Sequence, residues 1–259
     1  MHDDVDASVS ALAPSPRATA AGRARAVPAR SRFFPAMAVL AVAVVLVGFS
    51  TTYFVPLLRG RFVALPWVHL HAAAFMGWIA LFGAQVALVR TRRVAVHRRL
   101  GWLGAALAAA MVPSAVQIGY AATLRDRASG GDFALGQFVN VLIEMVVFCS
   151  LVGVAIVWRR DRERHKRLLL LATISLLGPA WLRFRHLLPM VENPFVVFSL
   201  IADSLLLVAI GYDWRTRGRV HPIYLTAGAA MVGVHLAELV LSTSAPWLAV
   251  ARWLLPPPG

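Results

Sequence analysis

Residues Trp67 to Leu100 read WVHLHAAAFMGWIALFGAQVALVRTRRVAVHRRL. The apolar run from Val68 to Val89 is long enough to cross the roughly 30 Å hydrocarbon core of a bilayer as one helix. Two histidines, His69 and His71, lie near its start, and Arg90, Arg92, Arg93, Arg98 and Arg99 follow its end. An imidazole inside an apolar span is costly to desolvate and so marks a candidate functional site. The arginines place their end of the span in the cytoplasm.

Working outward, six more apolar runs approach spanning length, and the fold class is all-α: a polytopic transmembrane bundle of seven helices. They cover about 34–58, 65–89, 100–124, 133–158, 168–188, 194–214 and 222–242. Six spans is the alternative count, because Gly178-Pro179 interrupts the fifth and Arg183, Arg185 and His186 follow it. Composition agrees, with 59% hydrophobic residues, 15% charged and a mean hydropathy of +0.69, outside the soluble balance. The first run begins at Phe33, too long for a signal-peptide core and with no small-residue cleavage site after it, so it is expected to remain as a helix. Residues 1–32 lack apolar periodicity and read as a disordered basic cytoplasmic tail ahead of a membrane domain at 33–255. The segment after Pro246 is short and amphipathic and is expected in the interface.

The net charge of +14 does not point to nucleic acid, because the arginines sit between apolar runs rather than on one soluble face. The partner they imply is the anionic lipid bilayer. Of the 26 lysines and arginines, 19 fall in the tail and in the loops after helices 2, 4 and 6, and 7 on the opposite side. The N-terminus is therefore expected in the cytoplasm of a bacterial inner membrane and the C-terminus in the periplasm. Trp67, Trp247 and Trp253 fall at the outer interface and Trp102, Trp158 and Trp214 at the inner one, as an aromatic belt requires. Cys149 is the single cysteine, which excludes cysteine-ligated clusters and thiol pairs.

A short repeat marks the cytoplasmic ends: His97-Arg98-Arg99-Leu100 opens helix 3, His165-Lys166-Arg167-Leu168 opens helix 5, and His221 precedes helix 7. Basic residues belong here on topology grounds alone, and these histidines read as headgroup or capping contacts. With the H-x-H before a tryptophan-bearing span, the runs Arg93 to Gly101 and His165 to Leu177 resemble a family of bacterial multi-pass inner-membrane proteins. That resemblance covers helices 2 to 5 and implies no particular chemistry.

Depth orders the polar residues. His71 lies in the outer part of helix 2, and Gln117 and Tyr120 lie in the outer half of helix 3. Gln137, Asn140 and Glu144 form an i, i+3, i+7 stripe on helix 4. Arg183 and His186 end helix 5, Asp203 lies in helix 6, and His235 and Glu238 are one turn apart in helix 7. All these ionisable groups fall from the midplane outward.

Three chemistries can use such a set. A b-type haem takes two axial imidazoles, and His71 and His235, both with small neighbours, are the candidate cofactor ligands; a quinone or other electron-transfer partner would follow. A transition metal can instead take His71, His235, Glu238 and Glu144, as in a metal-dependent lipid-modifying enzyme, although the H-x-x-x-H of adiponectin-receptor-type hydrolases is absent. A proton- or ion-coupled transporter needs no cofactor and would use Glu144, Asp203, Arg183 and His235 as a relay. Asp203, Arg183, His186, Asn140 and Gln117 would line the polar cavity in each case. The haem or metal redox protein is the leading expectation. Gly-rich phosphate loops and nucleophile elbows are absent, so soluble-enzyme chemistries have no support.

The charge split makes a direct prediction. A reporter fused after Gly259 should report the periplasm, and one inserted between Arg159 and Arg167 the cytoplasm. A cytoplasmic C-terminal reporter beside an unchanged loop result would require an even number of spans.

Overall fold

The computed structural model describes residues 31–188 and 194–255. The expected tail at 1–32 lies almost wholly outside them. The described residues are all-helical, without strands. Five helices are long and apolar enough to cross a membrane, or six when the bent pair at the start counts as one span.

That bent pair is α1 (Phe33–Gly48) followed by a π-helical turn, Ser50–Phe54, and α2 (Val55–Leu58). The chain bends by 47° between them. A π-turn leaves one residue too many for regular i→i−4 bonding, which is a recognised cause of a kink. α3 (Pro66–Arg90) starts on a proline whose missing N–H costs nothing at the first helical position. α4 (Val94–Val157) is 64 residues long and is broken at Gly131, with φ 51° and ψ −130°. A side chain at that φ would be strained, so glycine is what permits the turn. Beyond it the chain doubles back: Gly119 packs on Val141, and the rings of Tyr120 and Phe138 lie 6.4 Å apart. Residues 94–130 and 132–157 therefore form two antiparallel arms.

α5 (Arg162–Ser175) is capped by Asp161, whose carboxylate accepts from the amides of Glu163 and Arg164. The break expected at Gly178-Pro179 is present. α5 stops at Ser175, and a short α6 (Gly178–Leu182) leads into a 3₁₀ turn, Arg183–His186. α7 (Pro194–Arg217) follows, then a π-helical turn, Tyr224–Gly228, continuing into α8 (Ala229–Leu241). The amphipathic α9 (Ala245–Leu254) is capped by Ser244 and lies over the hairpin end of α4. There Trp247 Nε1 donates to the carbonyl of Leu135 at 3.2 Å, and Arg252 pairs with Asp132.

The main core joins α3, the second arm of α4, and α5. Trp78 packs edge-on against Phe148 at 4.8 Å and donates to Thr173 Oγ1 at 3.3 Å. At the basic end of the bundle a buried ion pair ties α5 to α7. Arg167 and Asp213 are 2% and 1% exposed, and the guanidinium donates twice, Nε to Oδ2 at 2.9 Å and Nη2 to Oδ1 at 2.5 Å. Arg167 Nη1 also donates to the carbonyl and the carboxylate of Glu163, which in turn accepts from Lys166 and Arg217. The amide of His221 donates to Asp213, bringing the start of the last span into the same network. The imidazole of His221 is held below its ordinary pKa by partial burial and by the Arg167 charge, and its Nδ1 accepts from the amide of Ile223.

Removing one member of a buried pair strands the other charge, which costs about 3–5 kcal/mol, whereas replacing both by apolar residues is often neutral. Asp213→Ala should therefore strongly lower the melting temperature of the purified protein. The double variant Arg167→Met with Asp213→Leu should recover most of that loss in the same thermal-unfolding assay.

Candidate functional site

Three elements bring four ionisable side chains together on the side of the bundle away from Arg167. Glu144 comes from the second arm of α4, Asp203 from α7, and His235 and Glu238 from α8. His235 and Glu238 share a face because three residues make slightly less than one helical turn. Two close approaches set the spacing. The Gly136 position on α4 lies against the carbonyl of Ser242 just past α8, and Gly228 lies against Leu206 of α7. Small residues let membrane helices pack this closely.

His235 is the centre. Its Nδ1 lies 2.8 Å from Asp203 Oδ1 in a hydrogen bond. Its Nε2 lies 3.4 Å from Glu144 Oε2, close enough for charge attraction but not aligned as a hydrogen bond. Glu238 is 7% exposed. Its Oε1, Glu144 Oε1, Asn140 Oδ1 and His235 Nε2 are buried without a hydrogen-bond partner among the described residues. Along the stripe expected on α4, Asn140 Nδ2 donates to Gln137 Oε1 at 3.2 Å.

Other expected members lie elsewhere. His71 faces the first arm of α4: its Nδ1 is 3.4 Å from Ser114 Oγ, and its ring packs on Phe75 at 4.3 Å. No contact joins it to His235 among the described residues. The pairing of His71 with His235 as cofactor ligands is thus not assembled, and His235 has Nδ1 committed to Asp203 and Nε2 facing Glu144. A bis-imidazole haem does not fit these residues. The metal set His71, His235, Glu238 and Glu144 is not assembled either, since no three His, Cys, Asp or Glu side chains among the described residues are disposed to hold an ion. Arg183 does not act as counter-ion to a described carboxylate. It stacks over Phe49 at 4.1 Å and donates to the carbonyl of Pro179. His186 and Gln117 are exposed. His69 meets Tyr53 Oη through Nδ1 at 2.9 Å.

Among the polar contacts with no counterpart in the sequence are those of Asp213 with Arg167 and of Tyr53 with His69. Asp213 did leave a signal, as the one carboxylate in the last turns of an otherwise basic helix end. No family model, no curated protein and no solved structure matches the chain.

The approach at Gly136 can be tested. Gly136→Val should push α8 off α4 and, as overpacking costs about 1–3 kcal/mol, lower the melting temperature by several degrees. Gly153→Val on the same arm, where a Cβ meets nothing within 4 Å, should leave it unchanged.

Proposed function

We propose that this is a seven-span inner-membrane permease that couples movement of a small molecule to protons held at His235 and its carboxylates. The span count rests on two features. α4 doubles back at Gly131 and so crosses twice, and the bent pair from Phe33 to Leu58 crosses once. The cytoplasmic N-terminus rests on the 19-to-7 split of basic residues.

The observation that carries the proposal is the place of His235 between Asp203 and Glu144 on two other helices. A neutral imidazole donates at one nitrogen and accepts at the other, so it can pass a proton between groups on its two sides. With Nδ1–H donated to Asp203, Nε2 is the basic atom, and it faces Glu144. A proton arriving at Glu144 has one short transfer to reach the ring, and the imidazolium so formed is stabilised by both carboxylates. Protonating the ring shortens the Nε2 contact, and losing the proton releases it. The bond between α4 and α8 thus depends on occupancy, which is what coupling to a conformational change requires.

Charge counting supports the same use. Three carboxylates surround one imidazole, so full ionisation leaves the site negative even with His235 charged. Uncompensated charge in a membrane interior costs at least about 2.5–3.5 kcal/mol per group on insertion scales. Protons or a cationic guest must supply the balance.

Infrared difference spectroscopy of the reconstituted protein across a pH titration tests the proposal. The C=O band of a protonated carboxylic acid should grow as pH falls. Glu144→Gln and Glu238→Gln should each remove part of it, and His235→Gln should shift its titration. Identical spectra for all three variants would overturn the proposal. So would a Soret band or a stoichiometric transition metal in the purified protein, either of which would restore the redox alternative.

A further inference from the structure

Beside the site runs a groove of about 310 Å³ between the second arm of α4, α5 and α8. Val147, Leu151 and Val154 line one wall, and Ala227, Ala230 and Met231 line the other, with Ser150 the only polar side chain. Val146, Val154 and Val234 at its edge are exposed large hydrophobics, so the groove opens sideways, toward lipid. The ionisable cluster lies one helical turn beyond its lining residues: Val147 is one turn from Glu144 on α4, and Met231 one turn from His235 on α8. From Ala227 to Val234 it follows seven residues of helix, roughly 10 Å.

We infer that this groove and the cluster above it form one binding site for an amphiphilic cation, an ammonium head on a short apolar tail. This deepens the permease proposal by naming a substrate class for it. The tail has an apolar channel reached directly from the bilayer. The head has two buried carboxylate oxygens, Glu144 Oε1 and Glu238 Oε1, with no partner among the described residues, and Glu238 is more than nine-tenths buried. A neutral hydroxyl head can donate one hydrogen bond to these atoms but leaves their charge in place, and an anionic head is repelled, whereas an ammonium donates to both and offsets their charge. A proton and an ammonium compete for the same carboxylates. Loading a proton therefore expels the cation, and the two exchange across the membrane.

Octylammonium is a suitable probe, with 1-octanol as its uncharged counterpart, titrated calorimetrically into the full chain in nanodiscs of zwitterionic lipid. Octylammonium should bind saturably, at least about tenfold more tightly in mildly alkaline than in mildly acidic buffer. Glu238→Gln should weaken binding about tenfold and flatten its pH dependence. Ala230→Trp, at an exposed position on the groove wall, should weaken binding while leaving the infrared carboxyl titration intact. If 1-octanol binds as tightly, or if neither variant changes octylammonium binding, the groove merely takes a lipid chain and the inference is overturned. A normal carboxyl titration without octylammonium binding defeats this inference alone. Binding that persists with no titratable carboxyl supports the groove and defeats the proton coupling.

Discussion

A charged side chain held between helices in a bilayer has little water to turn to, so its partner must come from another helix. In this protein the requirement acts at two levels of the bundle. At the basic end Arg167 meets Asp213 in a doubly hydrogen-bonded pair, both almost wholly buried. A guanidinium and a carboxylate match in shape, so two parallel bonds fix the angle between α5 and α7 as well as their distance. Asp213 also takes the amide of His221, so the entry to the last span is set by the same carboxylate. The relative placement of α5, α7 and α8 depends on this contact, and with it the register at which Asp203 and His235 meet further along α7 and α8.

The second level is built differently. Around His235 the acids outnumber the bases, and no arginine comes to them among the described residues. Arg183, which the sequence places in the polar cavity with these carboxylates, stacks over Phe49 instead. A pair such as Arg167 with Asp213 is complete and has no reason to exchange its partners. A site with a single imidazole among three carboxylates is left negative when all of them are ionised, so its charge balance depends on added protons or on a cation. The first arrangement suits a fixed joint, and the second is the one that the proposed proton-coupled exchange would use.

Much of this was legible in the sequence, for identifiable reasons. Apolar length locates helices because the bilayer sets one dimension for all of them; the break expected at Gly178-Pro179 occurs, and the one expected over 125–132 narrows to Gly131. Depth along a helix is legible too, since it needs only a count of residues from the basic end. Glu144, Asp203 and His235 are placed from the midplane outward in this way, and they meet. What a residue count cannot give is direction around the helix axis relative to its neighbours. His71 and His235 were expected to meet because both lie toward the same end, yet His71 turns toward Ser114 on the hairpin and His235 toward α7. Which helix lies beside which is decided by packing contacts such as Gly136 on Ser242, and a glycine in an apolar run does not name its partner.

The repeated basic motif shows the same limit from the other side. His97-Arg98-Arg99-Leu100 and His165-Lys166-Arg167-Leu168 are nearly the same local sequence at the same end of the bundle. Their histidines do come together, with ring centroids 6.4 Å apart. Both belong to helix-end joints: His165 Nδ1 donates to the carbonyl of Ala155, and the carbonyl of His97 accepts from Gln85. The arginines in the third position part company. Arg99 is exposed, whereas Arg167 is among the most buried side chains described. Nothing within the motif separates them. Asp213 does, since it lies 46 residues beyond Arg167 on a helix that packs against α5, and no carboxylate stands opposite Arg99 among the described residues. One acidic residue in a basic stretch thus converts a topology signal into a structural joint, and the joint is what brings α7 and α8 into reach of each other at His235.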